Sequence, residues 1–95
     1  MQFRVASKAE PSTAIRVTVR LFAQYAELVG ADAIALELPP EATVADAVAA
    51  VRRQANNGHQ LPSRPLAAVN LAHVLPEQRL ANGDELALLP PLAGG

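Results

Sequence analysis

Residues Thr43 to Ala55 restrict the possible folds of this chain more than any other stretch. Val44, Ala47, Val48, Val51 and Ala55 recur at intervals of three and four, which puts them on one stripe of an α-helix. Thr43 stands at the N-cap position and Asp46 three residues later, in a capping-box-like pairing. Arg52 and Arg53 suit the negative end of the helix dipole, and Asn56-Asn57-Gly58 ends the helix. A single helix with one apolar stripe needs a surface to lie on, and the other periodic segments of the chain repeat every two residues.

Those segments supply a sheet. Ile15, Val17, Val19 and Leu21 alternate with Arg16, Thr18, Arg20 and Phe22, as a half-buried strand does. Phe22 breaks the polar pattern of its face, and parity leaves two readings open: the strand end curls into the core, or the ring is an exposed anchor for a partner. Gln24 to Val29 reads as a short helical turn closed by a left-handed Gly30. Ala31 to Leu38 alternates again and is stopped by Pro39-Pro40. Beyond the main helix, His59 to Pro65 is a loop. Leu66 to Asn70 and Ala72 to Leu75 are short strands around a turn at Asn70, Pro76 to Arg79 is a turn of helix, and Asn82-Gly83 turns the chain into a last strand, Asp84 to Leu89. The predicted order is β-β-α-β-β-β: an α+β chain with a mixed sheet of about five strands, the first and last parallel at its centre, and one main helix on one face. This is the β-grasp, ubiquitin-like plan.

Ninety-five residues make one small domain, and with only Phe3, Phe22 and Tyr25 aromatic its core has to be built from Leu, Val, Ile and Ala. Eight basic against nine acidic residues give a formal charge of −1, which argues against a nucleic-acid backbone as ligand. No cysteine is present, so disulfides, thiolate metal sites and thiol chemistry are excluded. His59 and His73 lack companions at metal-ligand spacing and read as surface or packing residues. The acidic residues Asp32, Glu37, Glu41, Asp46, Glu77, Asp84 and Glu85 fall on turns and strand ends with no acid–base pair marked. No phosphate-binding loop or nucleophile elbow occurs. The chain is therefore not expected to be an enzyme on its own, and without an apolar run of membrane-spanning length or a signal segment its expected compartment is the cytoplasm.

The chemistry is expected at the C-terminus. Pro90 and Pro91 lack N–H donors and fix φ, so strand pairing ends there. In an extended polyproline form at roughly 3.1 Å per residue, Pro90 to Gly95 project about 18 Å, enough to enter another protein's cleft. Gly94 and Gly95 carry no Cβ, so the terminal carboxylate can thread a narrow channel. A bare Gly-Gly end would by itself read as a frayed terminus. Met1 to Ala14 differs in composition and is expected as a flexible extension, with a short edge strand over Gln2 to Val5 as the alternative. The expected organisation is an extension over 1–14, a β-grasp domain over 15–89 and a tail over 90–95.

Taken together, LFAQYAELVG (Leu21 to Gly30), LAAVN (Leu66 to Asn70), LANGDELALLPPLAGG (Leu80 to Gly95) and the intervening capped helix resemble the small, sulfur-carrying subunit of molybdopterin synthase. The resemblance runs over nearly everything from Ile15 to Gly95 and leaves the first fourteen residues outside. It implies a cycle carried on Gly95. An E1-like enzyme adenylates the terminal carboxylate with ATP, a sulfur donor replaces the adenylate to leave a thiocarboxylate, and the tail delivers the sulfur inside the large synthase subunit. Two deliveries make the dithiolene of molybdopterin. No cofactor is bound permanently, and two large and two small subunits are implied. Phe22 and Leu89 match the family's apolar interface positions, with Pro90, Pro91, Leu92 and Ala93 leading into the partner. His73 stands where an aliphatic interface residue can occur, and Leu89 where an aromatic is common. Three functions from different classes follow: the sulfur carrier, a ubiquitin-like modifier joined to lysine amines, and a non-covalent adaptor with an incidental ending. A carrier for thiamine is a close relative of the first, from which FAQ-x-x-ELVG and AVN point away.

Overall fold

The computed structural model describes residues 14–91, so most of the expected extension and the tail positions Leu92, Ala93, Gly94 and Gly95 lie outside the described residues. Five strands and two α-helices follow in the order β1 (Ile15–Leu21), α1 (Gln24–Val29), β2 (Ala33–Leu38), α2 (Val44–Gln54), a 3-10 turn (Gly58–Gln60), β3 (Leu66–Val69), β4 (Ala72–Val74) and β5 (Glu85–Leu89). The strands form one mixed sheet in the spatial order β2-β1-β5-β3-β4. At its centre β1 and β5 run parallel, with Val19 beside Leu86 and Leu21 beside Leu88, and the remaining pairs are antiparallel. This is the β-grasp arrangement that the alternation predicts.

Parity decides which side of the sheet is dry. Ile15, Val17, Val19 and Leu21 of β1 and Leu86 and Leu88 of β5 point to one face and are buried, with Val19, Leu86 and Leu88 fully so. Onto that face α2 lays Val44, Ala47, Val48, Ala50 and Val51. Among the described residues this buried cluster is aliphatic apart from Tyr25.

The main helix is fixed at both ends. The Asp46 N–H donates to Thr43 Oγ1 (3.3 Å) and the Thr43 N–H donates back to Asp46 Oδ2 (2.9 Å), a complete capping box. The N–H groups of Val44 and Ala45 would remain orphaned in a bare helix. They donate instead to the carbonyls of Gln78 (2.9 Å) and Pro76 (3.0 Å). This corrects the reading of Pro76 to Arg79 as a turn of helix. The segment is a hydrogen-bonded turn, closed by the Gln78 N–H on Leu75 O, with its carbonyls turned to the helix start and Arg79 bridged to Thr43. At the other end the left-handed residue is Asn57 (φ 56°), whose side chain donates to Leu28 O (3.0 Å). Gly58 is there for proximity: a Cβ would lie 2.4 Å from the Val51 carbonyl oxygen. Arg52 then ties down the loop expected over His59 to Pro65, donating to the carbonyls of Leu61 and His59, and Leu61 enters the core.

The turn motifs prove to be scaffold. Asn82 Oδ1 accepts from the Arg16 N–H at the start of β1, while Gly83, at φ 89°, donates to Arg16 O. Asp84 accepts from the Ala81 N–H (2.7 Å) and from the Asn70 side chain (3.0 Å), and Asn70 Oδ1 accepts from the Glu85 N–H. Asn70 (φ 49°) and Leu71 (φ 77°) both have positive φ in the two-residue connection of β3 to β4. A hairpin turn with both central residues left-handed favours Asn followed by Gly, whereas this chain puts an almost wholly exposed leucine in the second position. Leu71→Gly is therefore expected to stabilise the domain by about 1 kcal/mol, read as a higher midpoint in chemical denaturation at unchanged slope.

Candidate functional site

The open face of the sheet, away from α2, carries the alternate set of side chains. Its middle is polar: Arg20 Nη1 meets Glu85 Oε2 at 3.2 Å, with both side chains about half exposed, so the pair adds little to stability. Toward the end where β5 leaves the sheet the character changes. Leu66 on β3 lies directly across from Leu89 on β5. Phe22 follows the β1–β5 pair Leu21–Leu88, one step further along, and so falls level with Leu89. Leu75 stands one step beyond the β3–β4 pair Ala67–Val74, level with Leu66. Phe22, Leu89, Leu66 and Leu75 thus make an apolar row across four strands, about 14 Å wide at normal strand spacing. In the next row Ala87 and His73 flank Ala68.

Exposure separates this row from the core. Phe22 is 42% exposed, Leu66 53% and Leu75 73%, while Leu89 is half-buried. Of the two readings left open for Phe22, the ring faces solvent. The backbone helps to hold it there: Ala23 takes φ 51° and ψ −127°, which an L-residue rarely adopts, and the chain then turns into α1 with the Tyr25 N–H on Phe22 O (3.0 Å). Ala23, Gln24, Leu66, His73, Leu89, Pro90 and Pro91 together line a shallow apolar groove that runs to the point where the tail departs.

Of the site residues expected from sequence, Phe22, Leu89, Pro90, Pro91 and His73 gather at this one corner. Gly94 and Gly95, with Leu92 and Ala93, fall outside the described residues. His73 is exposed and sits across from Ala68 in the second row, beside the apolar stripe. Sequence reasoning missed Leu66 and Leu75. Leu66 opens β3 and Leu75 follows the end of β4, and only the pairing of β3 with β5 and of β4 with β3 brings them level with Leu89; the available signal was their shared parity with His73 in the hairpin.

A mixed five-stranded sheet with β1 and β5 parallel at its centre and one main helix on one face is the β-grasp fold of the ubiquitin-like class. Within that class, this chain belongs to the ThiS family, whose sequence profile matches residues 19–95. A relative in Haemophilus influenzae, a molybdopterin synthase sulfur carrier subunit, is 37% identical over 82 residues, spanning 83% of this chain and 99% of the relative. Among solved structures, SAMP1 of Haloferax volcanii is 30% identical with a TM-score of 0.67, over 84% of this chain and 99% of its own. The complex of subunits 1 and 2 of the molybdopterin-converting factor from Helicobacter pylori contains a chain of the same fold, with 20% identity and a TM-score of 0.63, over 85% of this chain and all of that one.

Proposed function

We propose that this protein is the sulfur carrier of molybdopterin synthesis, a small subunit without catalysis of its own, which bears sulfur as a C-terminal thiocarboxylate on Gly95. The observation that carries the reading is the apolar corner of Phe22, Leu66 and Leu89 at the root of a chain end that finishes in Gly94-Gly95. The 37% identical Haemophilus influenzae sulfur carrier supports it.

The chemistry follows from the terminal carboxylate. A free carboxylate is a poor acyl donor, so an E1-like enzyme must activate it: the Gly95 carboxylate oxygen attacks the α-phosphorus of ATP and pyrophosphate leaves. Sulfur from a donor then attacks the acyl carbon, the bond to AMP breaks, and the thiocarboxylate remains. No cofactor stays bound, and no cysteine of this chain is needed. A large synthase subunit, in the place that subunit 2 takes in the Helicobacter pylori complex of subunits 1 and 2, would grip the apolar corner and take up Pro90 to Gly95 in its own site. Fixing the root of the tail turns sulfur delivery into an intramolecular event. His73 borders that grip, and residues 90–95 form the delivery arm of a β-grasp domain over 15–89. The cytoplasm, where ATP and the activating enzyme are available, is the proposed compartment.

Intact-mass measurement after incubation with the activating enzyme, ATP and sulfide should show one oxygen exchanged for sulfur at Gly95. No mass change under conditions that load a known carrier would refute the reading. Phe22→Ala and Leu89→Ala should each weaken the complex with the large subunit by about tenfold, from the lost apolar burial. Unchanged affinity in both would remove this corner from the interface.

The 30% identity to SAMP1, a small archaeal modifier protein, favours a second reading in which activated Gly95 passes to lysine amines. Isopeptide-linked conjugates that disappear on deletion of Gly95 would establish it. Their absence beside a detectable thiocarboxylate leaves sulfur carriage alone.

A further inference from the structure

The outer strand β2 leaves one edge of the sheet open among the described residues. Its register against β1 runs without a bulge from Ile15–Leu38 to Arg20–Ala33, and the Leu21 N–H donates to Asp32 O (3.0 Å), which fixes the phase of the ladder. Ile34, Leu36 and Leu38 therefore turn their backbone groups to β1, and Ala33, Ala35 and Glu37 turn theirs outward. Among the described residues these outward N–H and C=O groups have no partner. Sheet edges are commonly blunted by lysine, proline or a bulge. The strand carries none of these, and its outward residues are two exposed alanines and one exposed glutamate.

Two charged side chains beside this edge add an independent sign. Arg20 Nε is shut off from water with no acceptor, the single such side-chain atom among the described residues, while Nη1 of the same guanidinium takes Glu85 on the β5 side. Glu37 is exposed and makes no ion pair among the described residues, although Arg16 lies across from it on β1. Arg20 lies across from Ala33, at the other end of β2, about 13 Å along the strand from Glu37. Within one chain the two cannot meet.

We infer that a second copy of this chain pairs with this edge, β2 against β2 and antiparallel, about a two-fold axis at Ala35. In that register Ala35 faces Ala35 of the partner subunit, and Ala33 faces Glu37 of the partner subunit. Arg20, Ala33 and the partner's Glu37 then stand in one row over three strands, about 10 Å from the first Cα to the last. Only the Ala33 methyl lies between them, so the carboxylate comes to the guanidinium from the side away from Glu85, and the two-fold makes the contact twice. The one residue that faces its like is an uncharged alanine, and a formal charge of −1 keeps two copies from repelling strongly. The tail root at Leu89 is two strands from the axis and stays outside the contact. This pairing is independent of the sulfur-carrier reading.

The test is sedimentation of the full-length chain alone, from about 10 μM to 1 mM, because an interface under about 1,200 Å² associates weakly. The mass should rise with concentration from 10.0 kDa toward twice that value, and the Ala33, Ala35 and Glu37 amides should become slower to exchange over the same range. Ala35→Pro removes an N–H that points outward, leaves the β1 ladder intact and should keep the chain monomeric throughout. Glu37→Arg sets like charges against each other across the axis and should weaken association at least about tenfold. A chain that remains monomeric at 1 mM overturns the inference, and so does a dimer lost in Leu66→Asp but kept in Ala35→Pro and Glu37→Arg. Exchange protection of the three amides that does not vary with concentration assigns the edge to a segment of the same chain and also overturns it.

Discussion

Deleting Gly95 is expected to abolish sulfur delivery while leaving the domain as stable as before. The reacting carboxylate would move to Gly94, and the arm would be shorter by about 3 Å. An activated carboxyl has to sit within about 3.5 Å of its reaction partner, so an offset of that size costs at least a hundredfold in rate. The core ends at Leu88, and Leu89 and Pro90 are already half-buried at the rim. The thermal midpoint should therefore stay within about 1 °C. Single-turnover transfer from a chemically prepared thiocarboxylate measures the first quantity and calorimetry the second. Full transfer by the shortened chain would remove Gly95 from the mechanism.

Val48→Asp should do the opposite and unfold the domain. Val48 is 2% exposed, on the helix stripe that packs on the sheet, and the described residues contain no buried polar or charged side chain that could accept a carboxylate there. An uncompensated buried charge costs on the order of 3–5 kcal/mol, added to the lost packing of the valine. A domain of this size has about 5–10 kcal/mol in total. Loss of the cooperative thermal transition, with the far-UV signal of a disordered chain, is the expected outcome. A protein that still melts sharply near the wild-type midpoint would show that α2 does not bury this face.

These two outcomes separate the chain into a body and a terminal group, and the sequence made the two unequally legible. The body could be read because local rules agree with its tertiary structure. The capping box of Thr43 and Asp46, the left-handed Gly30 and Asn70 and the two-residue alternation of β1 and β5 all appear where the residues place them. Gly58 could not be read, since its requirement is a carbonyl 2.4 Å from a Cβ that does not exist, and that proximity arises only once α2 has turned back. Pro76 to Arg79 looked helical because its local composition permits a helix. It is not, because the orphaned N–H groups of another element claim its carbonyls.

The site divides in the same way. Phe22 and Leu89 were identified by resemblance, and parity could not say whether Phe22 was inside or outside. Register resolves that and adds Leu66, which is distant from Phe22 along the chain and meets Leu89 solely through the β3–β5 pairing.

The parallel pairing of β1 with β5 has a mechanical consequence. Among the described residues these are the first and last strands, and they lie side by side at the centre of the sheet, from Thr18–Glu85 to Leu21–Leu88. A pull that separates the two ends of the molecule slides β1 and β5 lengthwise past each other, so their ladder bonds share the force and must rupture together. Traction on the C-terminus, whether from a partner releasing its cargo or from an unfolding motor, would thus meet a clamp in place of a zipper.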